Sequence, residues 1–151
     1  MSRSLEERKA RAAELHAAGA NCAQAVALAF FDLVEDQISE QGLYKIMEGF
    51  GLGMGGMEGT CGALSGIIAI AGLQNSSGDR RNNTKQRTYQ LSREIVKRFQ
   101  EKNQAVRCKD LKGVETGTVL RSCPGCIDDA VEIGCAVLGA GESSGEQNAY
   151  S

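Results

Sequence analysis

Cysteine is the residue type with the most chemistry to offer in this chain, which holds six of them among 151 residues. A cysteine thiolate attacks disulfides and ligates soft metals, and the spacing of the thiols decides which use is open to it. The tightest pair is Cys123 and Cys126 in the run SCPGC. Two intervening residues let both sulfurs reach one metal ion or each other, so Cys123 and Cys126 are candidates for a catalytic dithiol and for metal ligands alike. Pro124 suits the first turn of a helix, where unpaired N–H groups and the positive end of the helix dipole favour a thiolate. Arg121 adds to that preference, and Asp128 and Asp129 work against it.

Cys22, Cys61 and Cys108 each stand alone in sequence. A helical bundle can bring such cysteines to one point, although a plain buried thiol fits each of them as well. Cys135 shares a helical stripe with Ile127, Val131 and Leu138, which assigns it to the core. A closed zinc site usually shows two short-spaced ligand pairs, and this chain has only one. An iron–sulfur cluster tolerates scattered thiolates and draws hydrogen bonds to its sulfurs from backbone N–H groups. The metal candidates are thus Cys22, Cys61, Cys108, Cys123 and Cys126. The run GFGLGMGGMEGTCGALSG over 49–66 brings backbone close to something, with Gly56, Gly59 and Gly62 as candidate cofactor contacts. Tight helix packing on small residues explains the same glycines.

Other chemistries find less support. Gly51 to Gly56 matches G-x-G-x-x-G literally, but no strand precedes it and no βαβ unit surrounds it. His16 is the only histidine and offers neither a triad nor a Cys–His pair near the CPGC, so hydrolase and protease readings fall away. A formal net charge of −2 removes the non-specific attraction that nucleic-acid binders rely on.

The elements that must position these thiols are helical. One proline, no tryptophan and abundant helix formers predict an all-α, single-domain bundle of about five helices, with the glycine-rich segment before the central helix. A capped first helix spans Ser4 to Ala18, and Asn21 caps a second running to about Val34 with Cys22 near its start. A short helix follows Ser39, and the central one turns helical from Thr60 with Cys61 in its first turn. Thr84 to Lys102 is amphipathic, burying Leu91, Ile95 and Phe99 beneath a basic outer face. The stretch 104–122 reads as a loop with at most one helical turn, and the last helix ends at Leu138. The domain therefore covers 1–138, and 139–151 is a flexible tail. No secretory signal and no membrane-length apolar run are evident, and thiols without an export signal stay reduced, so the expected location is the cytoplasm.

Taken in order, NCAQAV around Cys22, GMGGMEGTCGALSG around Cys61, CKDLKG at Cys108 and SCPGCIDDAVEI at Cys123 resemble the redox-active C_GCAxxG_C_C family over about residues 10 to 138. The most specific part is GTCGALSG, in which the order Cys61-Gly62-Ala63 departs from the Gly-Cys-Ala of the family's name. The resemblance implies an all-helical cysteine-rich domain, common in anaerobes and related to one in split-Soret cytochromes. It places the family's cysteines on Cys22, Cys61, Cys108 and Cys123, with Cys126 an addition. Haem is not implied, because no CxxCH is present.

Three functions follow as expectations. The first is an electron-transfer protein holding an iron–sulfur cluster through these thiolates and serving a redox partner protein, as a monomer or as a homodimer. The second is a thiol–disulfide oxidoreductase in which Cys123 attacks and Cys126 resolves. The third is a metal-trafficking protein that docks an acidic partner along the basic helix through Arg93 and Lys97.

Overall fold

The computed structural model describes residues 3–140. Seven helices form there: α1 (Leu5–Ala17), α2 (Cys22–Ala29), α3 (Glu40–Met47), α4 (Gly62–Asn75), α5 (Lys85–Asn103), α6 (Cys108–Lys112) and α7 (Cys123–Leu138). Among the described residues there is no strand, only an isolated antiparallel bridge between Thr60 and Arg107. The all-α expectation holds, and the expected count of about five helices is too low. The extra short helix, α6, lies where the absence of an apolar period reads as a loop. Of the expected tail, residues 141–151 lie outside the described residues.

The helix starts are set by local capping. Ser4 accepts from the Glu7 N–H at 3.1 Å while Glu7 accepts from the Ser4 N–H at 2.7 Å, a reciprocal box that begins α1. Asn21 and Gln24 repeat the box at α2, and Ser122 accepts from the Gly125 N–H at α7. The second helix ends at Ala29, short of the expected Val34, for a reason that comes from α1. Arg8 is fully buried and donates to the Ala29 carbonyl at 2.8 Å, taking an acceptor that a continued helix would need. The same guanidinium pairs with both carboxylate oxygens of Asp32, at 2.7 and 3.0 Å, and lies 4.7 Å from the Phe30 ring centroid. The chain then tightens into a 3₁₀ turn over Phe31–Leu33.

The central helix α4 is buried on most sides and packs on α2, α5 and α7. Its apolar contacts come from Leu64, Ile67, Ile70 and Ala71, all fully buried. The contact with α2 is backbone to backbone. A Cβ on Gly66 would fall 2.6 Å from the Ala23 carbonyl oxygen, and one on Gly62 would fall 2.9 Å from the Phe50 carbonyl and 3.3 Å from the Ala23 nitrogen. Leu91, Ile95 and Phe99 of α5 complete the core from one side, and Ile127, Ala130 and Val131 of α7 from another.

This contact gives the fold its first test. Gly66→Ala must push α4 from α2 and should cost about 1–3 kcal/mol, read as a fall of several degrees in the thermal unfolding midpoint. Gly72→Ala, on the same helix with nothing within 4 Å of the added methyl, should leave the midpoint unchanged or raise it.

Candidate functional site

Four cysteines stand at the starts of four helices: Cys22 opens α2, Cys61 is the residue before α4, Cys108 opens α6 and Cys123 opens α7. The packing brings these starts together. Cys22, Cys61, Cys108, Cys123 and Cys126 all line one cavity of about 200 Å³, with His16, Asn21, Leu52, Gly62, Leu111, Lys112 and Arg121 completing its wall. Cys135 is buried elsewhere on α7, among core side chains, and is not part of that wall.

Each thiol is placed by a specific backbone contact. Cys22 immediately precedes Ala23 and Cys61 immediately precedes Gly62, so the α2–α4 contact sets both. Cys61 and Cys108 are tied by two antiparallel segments: the Cys61 N–H donates to the Val106 carbonyl at 2.7 Å, the Cys108 N–H to the Gly59 carbonyl at 3.0 Å, and the Lys109 N–H to the Met57 carbonyl at 2.9 Å. Glu58 reinforces the tie by pairing with Lys109 and, at 3.1 Å, with Arg107.

The glycine-rich run supplies close approach. Gly53 sits in the left-handed region (φ 54°), and a Cβ there would fall 2.5 Å from that of Cys108. Leu52, Met54 and Met57 also have positive φ, unusual for such side chains, so this turn stores backbone strain beside the cavity. Its product is local: the Leu52 N–H faces the Cys22 sulfur, and Leu52 is part of the cavity wall. Of the three expected cofactor glycines, Gly62 lines the cavity. Gly59 orders the turn, donating to the Gly53 carbonyl at 3.0 Å and accepting from Cys108. Gly56 is not part of the cavity wall, and a Cβ placed on it would meet nothing within 4 Å.

Within the CPGC run the two thiols face different neighbours. The half-buried Cys123 meets the Lys112 ammonium, whose hydrogen bond to that sulfur raises the lysine's pKa. Cys126, buried one turn on, donates to the Arg121 carbonyl oxygen at 3.9 Å, and it shares the cavity wall with Cys61. Gly125 between them lets the Arg121 side chain pass, since a Cβ there would fall 2.5 Å from its Nε. Arg121 reaches the fully buried Asp129 through two bonds of 3.0 and 3.1 Å, and Lys102 and Asn103 complete the carboxylate's shell at 2.8 and 3.1 Å. Asp128 pairs with Lys9 at 3.2 Å and is not part of the cavity wall.

Electrostatics separates the thiols. Burial, then the nearby Cys123 and Cys61 sulfurs, pushes Cys22 up to about 11. Burial likewise raises Cys108, and Cys126 is raised by giving its hydrogen to Cys61, by burial, and by nearby negative groups that include Asp129. Cys61 moves the other way, down to about 7, because Cys126 donates to it and because the Ala63 and Leu64 N–H groups and the Lys112 charge favour its thiolate against the cost of burial.

The residues 20–137 match the family described as "Putative redox-active protein (C_GCAxxG_C_C)". The chain belongs to the C_GCAxxG_C_C family. No curated protein and no solved structure matched it. For this C_GCAxxG_C_C protein, redox activity carried by a cysteine-rich helical chain is therefore the supported description. No helix among the described residues is long and apolar enough to cross a membrane.

Two wall residues escape a reading of the sequence. His16 sits on an exposed-looking helix, yet it lines the cavity with Cys123 and Cys126. Lys112 belongs to the short α6, which a search for apolar periodicity does not find. A lysine four residues after a lone cysteine is the only signal, because one helical turn puts both on one face.

The cause of the low Cys61 value is testable. Followed by the ultraviolet absorbance of thiolates in metal-free protein, one thiol should titrate near pH 7, and Cys126→Ala should move that midpoint upward by removing the donor. A midpoint unchanged in Cys126→Ala would assign the effect to the helix start and Lys112 instead.

Proposed function

We propose that this cavity is a redox centre that holds an iron–sulfur cluster through the thiolates of Cys22, Cys61, Cys108 and Cys123 and exchanges electrons with a partner protein. The observation that carries the reading is the convergence of four helix-start cysteines, from four separate elements, on one cavity. A volume of about 200 Å³ is several times the roughly 30 Å³ that a water molecule occupies in the liquid. Among the described residues no group of three or more Cys, His, Asp or Glu side chains gathers on the point that a single ion would occupy. Thiols spread around a wall suit a polynuclear group, whose ligands attach to different metal atoms.

A bound cluster would supply a one-electron couple. The chain's own groups would do the rest. Helices α2, α4 and α7 direct their positive ends, and Lys112 its charge, toward an anionic set of thiolates. The Leu52 N–H at Cys22 and the Ala63 and Leu64 N–H groups at Cys61 favour thiolate at those two positions. Leu52 and Leu111 limit the access of water. Cys123 is preferred to Cys126 as the fourth ligand because it faces Lys112, whereas the Cys126 thiol is directed to the Arg121 carbonyl oxygen.

Protein purified without oxygen should be coloured by thiolate-to-iron charge transfer and contain iron and acid-labile sulfide in equal amounts. Cys108→Ser should lose most of both. Colourless, iron-free wild-type protein from an anaerobic preparation would overturn the reading.

A further inference from the structure

The outer face of α5 lies outside the cavity wall, and its cations differ from others in the fold in what they pair with. Arg8, Lys9, Arg11, Arg107, Lys109 and Arg121 each meet a carboxylate. On α5, Arg98 takes Glu94 at 2.7 Å, and Lys85, Arg93 and Lys97 meet no carboxylate among the described residues. All three are exposed and, with Tyr89 at 49% exposure, they fall at every fourth residue. They therefore form one ridge about 18 Å long, three cations around one aromatic, on a chain whose net charge is −2. The C-terminal end of the same helix reaches the cavity wall through hydrogen bonds. Lys102 and Asn103 bond to the buried Asp129 at 2.8 and 3.1 Å, and Asp129 bonds to Arg121, which lines the cavity.

We propose that this ridge is the docking surface for an acidic electron-carrier protein, the partner with which the cavity exchanges electrons. Complementary charge selects that occupant. Separated ammonium and guanidinium groups along one helix fit carboxylates on a partner, and Tyr89 supplies an aromatic anchor between Lys85 and Arg93. A membrane fits less well, because Tyr89 is the one large apolar side chain exposed on α5 among the described residues and gives a bilayer little to hold. Duplex nucleic acid would meet the net negative charge of the chain as a whole. A partner seated over the last turns of α5 lies outside Asp129 and Arg121, so docking brings it toward the cavity. One electron leaves the reduced carrier as the centre gains it, and no bond forms or breaks. The inference rests on the cavity being a redox centre, and adds the charge of the partner and the place where it binds.

The test titrates the full-length protein, as purified without oxygen, with an acidic plant-type ferredoxin in a calorimeter at low and at physiological ionic strength, and iron is measured in each sample. The expected result is one-to-one association at low salt that weakens steeply as salt is added. Arg93→Glu and Lys97→Glu should each weaken it about fivefold or more. Lys45→Glu, an equal change of net charge at an exposed position on α3, should not. Where iron is bound, oxidation of reduced ferredoxin, followed by its absorbance, should slow in the same two variants. The proposal is overturned if the ferredoxin does not bind at low salt, or if Lys45→Glu weakens binding as much as Lys97→Glu. It is also overturned if the ridge variants instead lose binding to phosphatidylserine vesicles, to duplex DNA or, by sedimentation, to a second copy of the chain. Iron-free protein that binds with the expected pattern rejects the cluster and keeps the surface. Iron-loaded protein that binds no ferredoxin does the reverse.

Discussion

The approach of α4 to α2 over Ala23 is the contact on which the rest of the structure depends. A carbonyl oxygen 2.6 Å from where a Cβ on Gly66 would lie leaves room for hydrogen only, so the two backbones touch where other helix pairs are held apart by side chains. Each of the contacting residues Ala23 and Gly62 has a cysteine directly before it. Helix ends that meet backbone to backbone thus carry Cys22 and Cys61 to neighbouring points. The remaining pieces attach to this pair: Gly53 allows the Cys108 backbone in from one side, and α7, packed on α4, brings Cys123 and Cys126 from the other.

Much of this was legible where the physics is local. A Ser or Asn three residues before a Glu or Gln marks the starts of α1 and α2, and proline after Cys123 marks the start of α7, because capping depends on neighbours in sequence. The Leu91, Ile95 and Phe99 stripe is likewise visible, since α5 is long enough to show a period. The glycines raised two explanations. At Gly53, Gly62 and Gly66 helix and turn packing accounts for the missing side chain, and Gly62 also borders the cavity.

What was not legible depends on contacts distant in sequence. Arg8 looks like one more charge on a charged helix, and only Asp32, Phe30 and the Ala29 carbonyl, more than twenty residues away, make it a buried residue that ends α2. Helix α6 is five residues long, too short for a period, and owes its place to the hydrogen bonds from Cys108 to Gly59 and from Lys109 to Met57. The partner of Cys126 was hidden for the same reason. Spacing along one helix offers Cys123, whereas the fold gives the Cys126 thiol the Arg121 carbonyl oxygen at 3.9 Å.

These long-range contacts also explain how a small chain tolerates five thiols around one cavity. If every sulfur ionised together, their repulsion in a partly buried space would oppose folding; burial raises Cys22 and Cys108, and the neighbouring Cys61 sulfur together with burial raises Cys126. Cys61, lowered to about 7, is favoured as thiolate by the Cys126 thiol, two N–H groups and a lysine. Asp129 is the counterweight on the far side. Buried and bonded to Arg121, Lys102 and Asn103, it anchors the arginine that passes over Gly125, and its negative charge helps keep the hydrogen on Cys126. Arg121 thus joins the core carboxylate to the cavity, its side chain bonded to Asp129 and its carbonyl oxygen accepting from the Cys126 thiol.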